Sequence, residues 1–156
     1  MNIYKNFINK EKSNEINTVM LSGHFPWFYR PHQIDKDSSY FFHCFYKNNK
    51  INSDFYSLLK PILDKLNPTK LLHIRANLCL KRPMKSQWHC DEWTDNLKHK
   101  TAIYYVNTNN GYTMFKDKKI KSEKNKIVIF DASLTHKARY QTDRDIRMVI
   151  NFNYNV

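Results

Sequence analysis

The chain has 156 residues, with 26 Lys and Arg against 14 Asp and Glu, a formal charge of +12 and a pI near 9.6. That length suits one domain, able to bury about two-thirds of its unfolded surface without disulfides. A 41% apolar and 15% aromatic content excludes a disordered tail. Two glycines are too few for a phosphate-cradling loop, which excludes the P-loop and dinucleotide folds.

Residues 1–50 lack strong periodicity. They hold two aromatic pieces, Phe25-Pro26-Trp27-Phe28-Tyr29 and Tyr40-Phe41-Phe42-His43-Cys44-Phe45-Tyr46, and read as loops with one or two strands. A helix is expected over 53–66, where Phe55, Leu58, Leu59, Ile62, Leu63 and Leu66 recur at helical spacing behind Ser53 as N-cap. Pro61 should kink or restart it, and Asn67-Pro68 should end it. From residue 70 the period becomes strand-like. Strands are expected over 71–81 and 101–106, followed by a turn at 107–111 whose Asn110-Gly111 supplies positive φ. Residues 112–115 would return from that turn, 117–119 would turn again, and 127–130 and 147–154 would be the last strands. The order suggests a β-sandwich or open barrel with helical support.

The charge has two readings. Twenty of the basic residues are Lys and there are 18 Asn, a bias that AT-rich codons produce, so a generic solvated basic surface is favoured over a nucleic-acid footprint. Three scattered cysteines (Cys44, Cys79, Cys90) suit a reduced, cytoplasmic compartment, and neither a membrane span nor a secretory signal is readable.

His89-Cys90-Asp91 carries the chemistry. In an extended segment, residues i and i+2 share a face, so this imidazole and this carboxylate can reach one ion. His136, just after the strand at 127–130, is the natural third ligand, which gives the two-His, one-carboxylate set that suits non-haem Fe(II). Arg147, at the head of the last strand, can clamp a carboxylate bidentately. Cys90 should point away from the ion as a packed thiol. His73 should lie on a half-buried strand and His99 should be solvated. His24, His32 and His43 match no common ligand spacing. Trp88 and Trp93 either wall a substrate pocket or pack.

The order of these features resembles the 2-oxoglutarate- and Fe(II)-dependent oxygenases, most closely the small prolyl-hydroxylase-like branch that includes phage-encoded members. Three segments carry the resemblance: 88–91, 100–112, and His136 with 147–154. It implies a double-stranded β-helix (jelly-roll, cupin-like) core over 71–156 under a cover formed by 1–70. It also implies Fe(II) on His89, Asp91 and His136, and 2-oxoglutarate on Arg147, with Tyr105 donating to the same carboxylate and Asn77 to the C1 end. Dioxygen would be the co-substrate and a peptidyl residue such as proline the first substrate expected, then a free amino acid or small metabolite. The second arginine of AlkB-type demethylases is missing, since position 153 is Asn, which lowers a nucleobase substrate. Asp91 is present where halogenase relatives carry a small residue, which favours hydroxylation. Two other classes stay open: a basic jelly-roll binding module for a polyanion, and a cupin-like metalloenzyme that does not use 2-oxoglutarate.

Overall fold

The computed structural model describes residues 1–31, 39–83, 85–91 and 99–156. In chain order the elements are β1 (Asn2–Tyr4), α1 (Lys10–Leu21), β2 (Phe28–Arg30), β3 (Tyr40–Lys47), β4 (Lys50–Ile51), α2 (Lys60–Leu66), β5 (Lys70–Leu80), β6 (Lys100–Tyr105), β7 (Tyr112–Phe115), β8 (Lys119–Lys121), β9 (Lys126–Asp131), β10 (His136–Arg139) and β11 (Ile146–Asn155). Among the described residues two antiparallel sheets form. The larger runs β1-β9-β6-β11-β5-β3-β2 with β4 paired to β3, and the smaller runs β10-β7-β8. This is the mainly-β, jelly-roll core with helical support that was expected. No helix among the described residues is long and apolar enough to cross a membrane.

The larger sheet is two-faced because side chains alternate along a strand. On its back, Ile74 and Ala76 of β5, Ala102 and Tyr104 of β6, and Met148, Ile150, Phe152 and Tyr154 of β11 pack into one cluster with Ile16 and Met20 of α1 and Ile62 and Leu66 of α2. On its front, Ile103, Tyr105 and Val149 meet Phe115 and Ile120 of the smaller sheet.

The second helix forms as a 3-10 turn over Tyr56–Leu59 that becomes α-helix at Lys60, with Pro61 in the first turn, where its missing N–H costs nothing. The Ser53 hydroxyl accepts from the Phe55 N–H at 3.0 Å, and Asn67 closes the helix in the left-handed region with φ 44°.

Three expectations are corrected. Residues 10–21 form a full helix, not loop. Its N-cap is Asn9, whose side chain accepts from the Glu11 N–H, and its buried stripe is only Ser13, Ile16 and Met20. The strand at 112–115 does not return along β6. It crosses to the smaller sheet and pairs with β10 and β8. Gly111 does not have positive φ; a two-residue hairpin with both central φ positive is instead made by Asn48 (54°) and Asn49 (57°), between β3 and β4. The segment read as a cover also contributes strands to the larger sheet: β1 pairs with β9 and β3 with β5. Asn125, at φ 62°, fastens the N-terminal segment by exchanging side-chain hydrogen bonds with the backbone N–H and C=O of Ile8.

Candidate metal centre

Between the two sheets lies a cavity of about 290 Å³, whose lining includes His89, Asp91, His136, Arg147, Asn77, Arg75 and Asn151. The residues that lead out of β5 run beside β10. His89 and His136 exchange two backbone hydrogen bonds, of 3.0 and 2.8 Å, as an antiparallel bridge. The Asp91 N–H donates to the Ala132 carbonyl at 2.9 Å, so three donors distant in sequence are fixed by main chain.

The ligand atoms of His89, Asp91 and His136 all lie within 4.8 Å of one another. His89 Nδ1 sits 3.1 Å from the Gln87 carbonyl and His136 Nδ1 3.0 Å from the Leu134 carbonyl. A carbonyl can only accept, so each Nδ1 carries a proton, and in the neutral ring the free lone pair is on Nε2. Those Nε2 atoms are the ones turned to the Asp91 carboxylate, at 4.0 and 3.9 Å. Burial holds His136 below the usual histidine range, against the opposing pull of Asp91, which keeps it in the neutral, metal-binding form. Asp91 Oδ2 accepts from Thr101 Oγ1 at 3.0 Å, and Thr101 Oγ1 accepts from Asn153 Nδ2 at 2.9 Å. This chain orients the carboxylate from behind. Two neutral imidazoles and one oriented carboxylate are the donor chemistry that Fe(II) takes, so the residues present fit that ion.

Arg147 opens β11 at 2% exposure. Its Nε donates to Ser122 Oγ at 2.8 Å and its guanidinium lies 5.8 Å from the Tyr105 ring centroid. No carboxylate among the described residues forms an ion pair with it, so a buried cation faces the cavity without a counter-charge from those residues, which fits an anionic ligand group such as a carboxylate. Gly111 is explained here. A Cβ at that position would meet Arg147 Cδ at 2.9 Å, Asn109 Oδ1 at 2.8 Å and the Arg139 carbonyl at 3.0 Å. Glycine is required for close approach, not for φ.

The other expected residues divide. Asn77 lines the cavity, with a buried Oδ1 that has no partner. Tyr105 shares the front face with Thr101 and Ile103, but it lies beneath Arg147 and does not line the cavity. Its hydroxyl donates to Thr113 Oγ1 at 2.8 Å, and burial pushes its pKa up to about 12. Cys90 is exposed at the cavity rim, not packed. His99 is buried, not solvated, and its Nε2 lies 3.0 Å from the Asp91 carbonyl, bracing the backbone that carries Asp91. His43 has both ring nitrogens engaged, by the Pro26 carbonyl and Ser53 Oγ, which excludes it as a ligand. His24 is exposed, and His32 and Trp93 lie outside the described residues. Trp88 is exposed under the Lys137 ammonium, 4.2 Å from its ring centroid. Sequence reasoning missed Ser122 and Thr113, which hold Arg147, and Arg75 and Asn151. Only strand parity, once register was known, places Thr113, Arg75 and Asn151 in the cavity.

Solved structures share this arrangement of strands. The prolyl hydroxylase of Trichoplax adhaerens, in complex with a hypoxia inducible factor oxygen degradation domain peptide fragment, superposes with a TM-score of 0.68 at 11% identity, over 99% of this chain and 83% of that one. The viral collagen prolyl hydroxylase of Paramecium Bursaria Chlorella virus-1 gives 0.64 at 12% identity, over 99% and 89%. The epimerase SnoN from nogalamycin biosynthesis, solved with Fe3+, alpha ketoglutarate and nogalamycin RO, gives 0.70 at 10% identity, over 98% and 77%. The chain has the fold of the 2OG-Fe(II) oxygenases. No family model matches the sequence and no curated protein matches it, so the shared fold lies in the pattern of strands and not in residue identity.

Proposed function

We propose that the protein is an Fe(II)- and 2-oxoglutarate-dependent dioxygenase that hydroxylates an amino-acid-type substrate, with release of succinate and CO2. One observation carries the reading: a single cavity holds two histidines and an aspartate with their ligand atoms turned together, and a buried arginine without a counter-charge. The SnoN structure, which holds Fe3+ and alpha ketoglutarate on the same fold, supports it.

His89, Asp91 and His136 would hold the iron, and Arg147 the far carboxylate of 2-oxoglutarate. When bound, the pair supplies the oxidising chemistry, in which dioxygen is consumed, 2-oxoglutarate becomes succinate and the substrate gains a hydroxyl. The chain's own part is geometry. Thr101 and Asn153 hold the carboxylate of Asp91, and the carbonyls of Gln87 and Leu134 fix the imidazole tautomers. Ser122 and Thr113 aim Arg147, and Ile103 and Val149 keep the floor of the cavity apolar. Asn77 lines the cavity and would donate through Nδ2 to the C1 end of the co-substrate, which leaves its Oδ1 as a free acceptor. Tyr105 acts through Arg147, presenting its ring to the guanidinium and its hydroxyl to Thr113. The sequence resemblance ranks a peptidyl residue such as proline first, as in the peptide complex of the Trichoplax enzyme, with a free amino acid next, and the chemistry of the cavity wall has to decide between them.

Anaerobic protein given Fe(II) and 2-oxoglutarate should develop a weak visible charge-transfer band, absent from His89→Ala and Asp91→Ala. Metal binding that survives loss of all three ligands would overturn the assignment.

A further inference from the structure

The cavity contains a second arginine. Arg75 lies on β5 and lines the cavity in register with Asn151 of β11. Its guanidinium sits 5.9 Å from the Tyr40 ring centroid, yet its Nε is buried without a hydrogen-bond partner and no carboxylate among the described residues pairs with it. Two neighbours on the same wall, Asn77 and Asn151, each present a buried Oδ1 that is also without a partner.

The proposed function leaves this charge over. With iron and co-substrate in place, the two positive charges of Fe(II) and that of Arg147 are balanced by Asp91 and the two carboxylates of 2-oxoglutarate. Both histidines would bind the ion as neutral imidazoles and so add no charge to this balance. Among the described residues Arg75 remains an uncompensated cation lining the cavity, where an unpaired charge is costly. A group that answers it must be an anion. The orphan amide oxygens beside it ask for hydrogen-bond donors, which a phosphate at neutral pH largely lacks and an ammonium supplies.

Resting on the oxygenase reading, we propose that Arg75, with Asn77 and Asn151, binds the α-carboxylate and α-ammonium of a free amino acid, so that the primary substrate is a free amino acid and not a residue inside a peptide. The planar guanidinium matches a carboxylate bidentately, and the asparagines accept from the ammonium. An internal peptide residue has neither group.

The test uses the full chain loaded with Fe(II) and 2-oxoglutarate. Free L-amino acids, their α-amides, and peptides with the same residues internal are added anaerobically, and the shift of the charge-transfer band gives affinity. Succinate release in air gives turnover. At least one free amino acid should shift the band and stimulate succinate release, its α-amide should bind about 100-fold more weakly, and Arg75→Gln should weaken the free amino acid equally while 2-oxoglutarate still elicits the band. Arg75→Lys, which keeps the charge and loses the fork, should fall between. Equal binding of acid and amide, a response to peptides alone, an effect of Arg75→Gln on 2-oxoglutarate instead of on the amino acid, or no carboxylate whose binding depends on Arg75 would each overturn the proposal. Failure of the wild-type protein to show any band would instead remove the oxygenase reading beneath it.

Discussion

The same three strands, β5, β6 and β11, build two faces of opposite character. The back face carries Ile74, Ala76, Ala102, Tyr104, Met148, Ile150, Phe152 and Tyr154, every one of them buried, and the buried Tyr104 hydroxyl is answered by Ser13 Oγ at 3.0 Å and Asn125 Oδ1 at 3.2 Å. The front face, one residue out of phase, carries Arg75, Asn77, Arg147 and Asn151, and of the buried polar atoms left unpartnered among the described residues, those of Arg75, Asn77, Asn151 and Asn155 sit on these strands at odd positions. An unmet buried polar group costs about 1–3 kcal/mol, so a face that keeps several is one whose partners come from outside the chain. One face holds the protein together and the other waits for ligands.

That division can be broken at either face. The largest effect is expected at the proposed metal donors: Asp91→Ala should lower turnover by about 1,000-fold or more and abolish the charge-transfer band, while the circular dichroism and urea midpoint of the metal-free protein stay near those of metal-free wild type. On the back face, Phe152→Ala should cost about 3–5 kcal/mol in urea unfolding, because a fully buried ring leaves a cavity. Gly111→Ala tests the seam between the faces. Its new Cβ must displace Arg147 or the Arg139 carbonyl, and it should cost about 1–3 kcal/mol and raise the KM for 2-oxoglutarate more than it changes the metal affinity.

A smaller, pH-dependent effect is expected from His73. Its pKa is lowered to about 4, first by burial and then by Arg75 and Lys47, so the fold favours the neutral ring. The unfolded ring takes its proton near 6.5, so the stabilisation is complete above that pH and is lost as pH falls from 6.5 toward 4. His73→Gln should flatten the urea midpoint across that window. Least of all, Asn151→Ala should not destabilise the ligand-free protein and should raise its urea midpoint slightly, because it deletes a buried amide oxygen that had no partner; that opposite sign beside Phe152→Ala is the sharpest contrast between neighbours.

Much of the site was legible because it depends on spacing. His89 and Asp91 share a face in any extended segment, and Arg147 heads a strand whose alternation is visible in its own residues. The strands 70–80, 100–105 and 146–155 declare themselves by β-rich composition. Other features depend on what lies across from a residue, and those did not show. Helix α1 buries so few apolar side chains that its period drowns in Lys, Glu and Asn. Asn110-Gly111 carries the residues of a hairpin turn, but the glycine serves the close approach of Arg147. His99 between two lysines reads as solvated until β9 is laid over it. Arg75 and Asn151 become a pair only when β5 and β11 are set in register.

The backbone bridge between His89 and His136 also bears on the order in which the protein folds. His89 and Asp91 are neighbours in any state of the chain, whereas His136 joins them only after β9 has been laid beside β6 and the polypeptide has doubled back into the smaller sheet. Closing that long loop is an entropic cost met late. A divalent ion would therefore find its full set of donors only in the finished fold, and its binding energy would be drawn on as folding energy. A metal held there would act as a clasp on the seam between the sheets, and adding a divalent ion to the metal-free protein would raise its thermal midpoint.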